Sequence, residues 1–482
     1  MFLPLLLAAS MLTTNEVPGM ATVHIPMPTM ISKDEDLRFN IPYQIPELNW
    51  DMQRFWEPYQ ESREQGKGWL QSDYATMNWF GLRDKLANKG LDISASYTAD
   101  LAGNPVGGKS AGFTYCDNFT IDLEFQSRPL FGYDGGTISV IGLDRNGNNL
   151  TAQRIGNQFT VQQVYGGTGF IFYALAYNQR FCDDRFSFKF GRMAAGDDFA
   201  SSPLYWLYMN NGIDGNPQSL PVNSKFSTYP WGVWGARLRA LITPENEAML
   251  GIYQVAPETA QSYLHGFDWQ MNGGDGVMLI AQDGWSHEFF KPSLPVFNKA
   301  ADGKNVISSA NDAIPHGLPG HYWMGGYYST YSYPQWQSTT QTQNGAYGIY
   351  WHFDQMVYRM DPFKDTGLTT WSAFMLCPQQ NTAKVPFQYN GGLVYTGMIP
   401  VRPHDVSIFG VSYGNFSSNY AQANQTTNGG YATYELVYEF GYRINLTKFA
   451  YIQPDAQWVI NPGGAGNIPN ALVLGAQIGV TF

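Results

Sequence analysis

The sequence is short of charge: Asp, Glu, Lys and Arg make up only 14% of its 482 residues, less than a soluble surface usually carries. It also lacks long apolar runs. No internal stretch approaches the roughly 20 apolar residues of a spanning helix, so any membrane reading requires strands. Cysteine is scarce: Cys116, Cys182 and Cys377 are an odd set with no CxxC and no His spacing, which excludes a zinc framework and a disulfide scaffold. The seven histidines are scattered, and neither GxSxG nor HExxH occurs. Nothing predicts an enzyme, a metal or a cofactor. Basic residues are outnumbered by acidic ones, 28 to 39, for a net charge of -11, which argues against nucleic acid as a partner.

What the chain has instead is aromatic residues, 16% with 31 Tyr, and a period of two. The closing stretch Asn470 to Phe482 sets Leu472, Leu474, Ala476, Ile478, Val480 and Phe482 in one apolar row. Val473, Gly475, Gln477, Gly479 and Thr481 form a smaller, more polar one. That is strand alternation. An apolar row ending on an aromatic, with nothing after it to cover it, predicts a sheet closed on itself with that row facing lipid. The pattern recurs in Leu91–Leu101, Thr120–Ser127, Phe186–Phe190 and Gly232–Ile242. It is fullest in Tyr431–Ile444, where Tyr434, Leu436, Tyr438, Phe440, Tyr442 and Ile444 oppose Thr433, Glu435, Glu439 and Arg443. In water these faces would need a second layer, and no helix between strands is long enough to supply one.

Ten further segments begin near Gly136, Phe170, Glu247, Val277, Gly320, Ala346, Leu368, Phe387, Asp405 and Ala450. The fold predicted is all-β, a transmembrane antiparallel β-barrel of about sixteen strands, wide enough for an aqueous channel. Connections alternate in length. Cys182–Arg185, Thr243–Asn246 and Asn445–Lys448 read as tight inner turns, and Arg145–Thr168, Met193–Trp231 and Asn415–Gly430 as long outer loops. Phe290–Pro319 breaks the alternation, through a slip of parity or a periplasmic insertion. On this parity only Cys116 and Cys377 could meet in a disulfide.

Before the strands, Phe2–Ala9 resembles a signal core without the usual basic flank, and a Pro-rich leader follows. Trp50–Gly66 has helical composition interrupted by Pro58. The expected division is 1–21 signal peptide, 22–78 leader and short periplasmic helix, and 79–482 barrel.

Several stretches then resemble one family in collinear order: NWFGLRDKLANKGLDISASYTADLAGNPVGG (Asn78–Gly108), GLDRNGNNLTAQRIGNQF (Gly142–Phe159), GRMAAGDDFASSP (Gly191–Pro203), NGGLVYTGMIPVRPHDVSIFGVSYG (Asn390–Gly414) and QPDAQWVINPGG (Gln453–Gly464). They are similar to the carbohydrate-selective porins of the OprB family. The resemblance implies passive diffusion of small sugars through a sixteen-stranded barrel in the bacterial outer membrane, with lipid and the barrel assembly machinery as partners. A homo-oligomer is compatible with it. The alternatives are a general or anion-selective porin and a structural or adhesive barrel, with an outer-membrane hydrolase third.

A loop as long as Met193–Trp231 beside a wide lumen is expected to fold inward as a constriction. It carries Asp197, Asp198, Trp206, Tyr208, Asn210, Asn211, Asp214 and Trp231. Lys189, Arg237 and Arg239 fall on polar strand faces and would form a basic wall opposite Asp197 and Asp198. The bland alternative is pairing with lumen carboxylates such as Asp122 or Glu124. Arg145, Arg154, Asn157 and Arg192 match family positions, and the resemblance implies that they line the pore. Phe482 is expected to matter for assembly.

Overall fold

The computed structural model describes residues 66–290, 316–338, 340–361 and 364–482. Its strands form one closed antiparallel barrel in which each strand pairs with its sequence neighbours and β16 returns to β1. They are β1 Leu91–Val106, β2 Gly112–Gln126, β3 Gly136–Gly147, β4 Gly169–Phe181, β5 Phe186–Met193, β6 Val233–Thr243, β7 Asn246–Val255, β8 Gly276–Phe289, β9 Leu318–Pro334, β10 Thr342–Arg359, β11 Gly367–Leu376, β12 Phe387–Thr396, β13 Val406–Asn415, β14 Tyr434–Asn445, β15 Ala450–Ile460 and β16 Ala471–Thr481. Every segment read from alternation is present. β5, with 8 residues, is the shortest and β10, with 18, the longest.

Alternation places the rows as expected. Phe186, Phe188 and Phe190 are exposed, whereas Ser187 and Lys189 between them are buried. On β16, Leu474 and Ile478 face out, and Val473 and Gln477 face in. The outward rows together form an apolar belt far larger than the patches soluble monomers expose. Each strand is meanwhile hydrogen-bonded to a neighbour along both edges, as hydrocarbon demands.

The alternation of turns and loops also holds. The β8–β9 connection lies on the same side as the tight turns, so parity does not slip there; its residues 291–315 lie outside the described residues. So do the signal, the leader and nearly all of the helix expected over Trp50–Gly66. Residues from Gly66 onward gather at the turn end of the barrel. The Trp69 ring lies 5.1 Å from that of Phe449, and Ala75 N–H donates to the Thr481 carbonyl at 2.8 Å. A short helix, α1 Leu82–Ala87, follows. Its Arg83 guanidinium stacks on Tyr74 and Trp79, at 3.7 and 4.3 Å, tying this segment to the barrel foot.

All three cysteines are free thiols. Cys116 on β2 and Cys377, which follows β11, stand on separate parts of the wall, so the pairing weighed from loop parity does not form. Cys116 and Cys377 are buried and Cys182 is exposed. Maleimide mass labelling of the folded protein is therefore expected to modify Cys182 alone, and all three sites after denaturation. Rapid labelling of Cys116 in the folded state would contradict this packing.

Candidate functional site

The barrel's main apolar core lies inside it. After β5 the chain leaves the wall and folds into the lumen. Phe199, Tyr205, Leu207, Tyr208, Ile213, Leu220 and Phe226 of this loop pack against Met249, Tyr253, Met278, Ile280, Trp323, Tyr327, Tyr350, Trp371, Met375, Val394 and Ile408 of the inner wall. Small inward residues create the slot. A side chain added at Gly410 would overlap the Tyr208 ring, and one at Gly392 would come within 2.7 Å of its hydroxyl. Tyr208 donates to the Phe409 carbonyl at 3.0 Å and accepts from Trp371 Nε1 at 2.9 Å. The loop is therefore a packed insert.

Where it meets β5, β6 and β7, the loop presents Asp198. Its Oδ1 lies 3.5 Å from Lys189 Nζ and 3.3 Å from Arg237 Nε, and its Oδ2 accepts from the Tyr253 hydroxyl at 3.3 Å. Arg237 also donates to Ser187. The carboxylate is 2% exposed and the guanidinium 1%. Asp198 thus meets Lys189 and Arg237 in contact instead of facing them across an aqueous gap, which corrects the expected transverse arrangement. The cause is the apolar packing just described, which draws the loop onto this wall. Arg239 takes no part: it pairs with Glu247 of β7, Nε to Oε2 2.6 Å, nearer the turn end.

Asp197 makes a different bond, accepting from the Tyr173 hydroxyl. Burial pushes its carboxyl up to about 6, and the nearby Lys189 ammonium and the Tyr173 bond only partly oppose that shift. A carboxyl held above its unfolded value contributes stability that is fully present below pH 3.8 and is lost as pH rises through about 6. Asp197→Asn is expected to keep the Tyr173 bond and remove this dependence. The variant should melt higher at pH 8 and show a flatter melting profile from pH 4 to 8. An unchanged pH slope would exclude Asp197 as its source.

The remaining sequence candidates divide. Arg145 is buried and inward, its Nε donating to Asn118 Oδ1 at 3.1 Å and its guanidinium 4.8 Å from the Tyr229 ring. Tyr229 shares that Asn118 oxygen at 3.0 Å, and it and Trp231 both pack against the buried cluster of Leu143, Ile171 and Tyr173. Asn157 is buried and donates to the Phe159 carbonyl. Asn210 is fully buried and ties loop to loop and wall, through the Phe159 carbonyl at 3.2 Å and Gln457 Oε1 at 2.9 Å. Two placements depart from the implied pore lining. Arg154 is exposed at the loop end, where its carbonyl receives the N–H groups of Lys109 and Ser110. Arg192 belongs to the outward row of Phe186, Phe188 and Phe190, because β5 runs without a register break. The β7–β8 loop folds over it from outside, taking a 2.6 Å bond at the Asp268 carbonyl and placing Trp269 6.0 Å away.

Several inward groups escaped the sequence reading as site residues. A bulge between β3 and β4 inserts Tyr173, re-aiming it at the loop. His352 of β10 meets Tyr205 of the loop at 2.8 Å through Nδ1 and Asp354 at 3.0 Å through Nε2; His321 bonds the other Asp354 oxygen at 2.7 Å. Arg443 of β14 donates to Gln453 at 2.7 Å and to the Trp206 carbonyl at 3.1 Å. Inward parity was the available signal for His352, Asp354 and Arg443. For Tyr173 there was none.

Comparison with known proteins agrees with this architecture. The chain is 25% identical over 443 residues to "Putative porin QuiX" of Acinetobacter baylyi, covering 87% of this chain and 94% of that protein. It is 24% identical over 432 residues to Porin B of Pseudomonas aeruginosa, covering 84% and 90%. The high-pH structure of Pseudomonas putida OprB superposes with a TM-score of 0.75 at 24% identity, covering 86% of this chain and all of that one, which is a likeness of fold. Residues 110–482 match the family described as carbohydrate-selective porin, OprB family. With that match across most of the closed sixteen-strand barrel, this chain belongs to the OprB family of carbohydrate-selective porins, channel proteins of the bacterial outer membrane.

Proposed function

We propose that the pore passes small neutral sugars past a constriction whose fixed charges are already engaged with one another, with Lys189, Arg237, Asp197 and Asp198 setting its shape and Arg145, Asn118, Thr120 and Tyr229 supplying directional hydrogen-bond groups. The observation that carries this reading is the Asp198 hub, in which both cations contact the loop carboxylate. A neutral polyol needs donors, acceptors and an apolar face more than net charge. Tyr229 offers such a face beside Asn118 and Arg145. Lipid is taken to cover the apolar belt, the assembly machinery to read the β16 end, and residues 1–78 to be signal, leader and periplasmic lead-in. A homo-oligomer would leave the lumen unchanged.

The test is single-channel current through the purified protein with glucose, a disaccharide and phosphate added in turn. Concentration-dependent block by sugars alone is the expected result. Strong phosphate block without a sugar effect would make this a general or anion-selective pore, and the absence of conductance would favour a structural barrel. Arg237→Ala is expected to weaken sugar block about tenfold and to shift ion preference towards cations, because it leaves Asp198 short of a partner. Arg239→Ala, which breaks the pair with Glu247 near the turn end, should change block by less than about twofold. Equal effects from the two would remove the special place given to the hub.

A further inference from the structure

We infer that Glu435 and Glu439, two inward carboxylates of β14, are positioning residues that fix the cross-section of the pore by holding its inward loops through their main-chain N–H groups. Both are fully buried. Glu439 accepts from Met209 N–H at 2.5 Å through Oε1 and from Asn210 N–H at 3.2 Å through Oε2. Glu435 does the same for the preceding inward loop. Its Oε1 accepts from Gln158 and Phe159 N–H at 2.9 and 2.8 Å, and its Oε2 from Gln158 N–H at 2.7 Å. A further 2.7 Å bond from Gly463 N–H to Oε2 adds the last outer loop.

The loops are also joined to each other. Asn211 N–H donates to the Thr160 carbonyl at 2.7 Å, and Gln163 N–H to the Met209 carbonyl at 2.9 Å. Two loops distant in sequence therefore form one short ribbon hung from one strand. A buried carboxyl group is costly unless its oxygens are hydrogen-bonded, and each of these two offers both oxygens to loop N–H groups. Because the donors are main-chain groups, the tether does not depend on which side chains the loops carry. Loop side chains can then change what the pore prefers while β14 keeps where the loops stand.

This inference rests on the porin reading only in requiring that the barrel conduct. Current in potassium chloride without sugar reads it, so a parent protein that shows no sugar block would sink the sugar proposal and leave this test intact. Glu439→Gln is the decisive variant. The amide has the same shape but a single acceptor oxygen, so an NH2 group must face one of the two loop N–H donors. The variant is expected to keep the heat-modifiable folded band, while its open-channel noise rises severalfold and its conductance increases about 1.5-fold to twofold as the ribbon loosens. Glu435→Gln should act in the same direction through the other loop. Folded variants with the parent's conductance and noise would overturn the inference, and so would a lowered melting temperature with unchanged current. If neither variant folds, hydrogen exchange in the parent decides. The amides of Gln158, Phe159, Met209 and Asn210 should be protected like those of the strands, and exchange at open-loop rates would overturn the assignment.

Discussion

Asp198→Ala is expected to be the most damaging single substitution in the constriction. The carboxylate is the shared partner of Lys189, Arg237 and the Tyr253 hydroxyl, and both ends of its pair with Arg237 are almost wholly shielded from solvent. Replacing a buried ion pair with apolar groups can be neutral, but removing one partner strands the other charge and typically costs about 3–5 kcal/mol. Here two cations lose a partner at once, where the loop leaves the strands. The folded barrel should melt markedly lower, and sugar block should fall about tenfold or more as the loop shifts, in keeping with loss of a buried charge partner. Because the damage comes from stranded charge, Asp198→Ala combined with Arg237→Ala should cost clearly less than the sum of the two single changes. Strict additivity would show that the groups do not act as a unit. A parent-like melting temperature for Asp198→Ala would remove the hub as an anchor.

Phe482→Ser is expected to have the second large effect, on the amount of barrel rather than on its current. Phe482 closes the seam. Its N–H donates to the Ala95 carbonyl at 2.7 Å and its carbonyl accepts from Ala95 N–H at 3.3 Å, extending the β16 ladder onto β1. Its ring lies 6.3 Å from that of Phe119 on β2, in the apolar outward row. Serine leaves the backbone bonds possible but puts a hydroxyl where lipid packs, and it removes an aromatic that the final pairing of a barrel can use. Inserted yield, read as the heat-modifiable band in outer-membrane fractions, should fall severalfold. The conductance of the molecules that do insert should match the parent, because this residue is remote from the Asp198 hub. Unchanged yield would free Phe482 of an assembly role, and altered conductance would show that the seam shapes the lumen.

The strands and their faces were legible because period-two patterning is local. Each of the sixteen segments announces its outward row by its own residues, as Phe186, Phe188 and Phe190 do, and a slip of one residue would turn every such side chain into the lumen. That row also carried the position of Arg192. Only its family match had suggested the pore, and the cover that makes an outward arginine tolerable, the β7–β8 loop with Asp268 and Trp269, belongs to a distant part of the chain. Alternating turn and loop lengths were likewise readable, down to the long connection after β8.

What the sequence by itself determined was therefore the closed barrel, the face of each strand, the loop long enough to enter it, and a lumen carrying charges of both signs. Tertiary structure alone decided who meets whom inside. The loop has no period from which to infer a direction, and its place follows from aromatic residues finding the space beside Gly392 and Gly410. Once it is docked there, Asp198 falls against Lys189 and Arg237, Asp197 turns to a Tyr173 re-aimed by a bulge, and Glu435 and Glu439 reach backbone groups more than two hundred residues away along the chain. Contacts of that kind depend on where a closed wall brings remote segments together, and a local residue pattern carries no record of them.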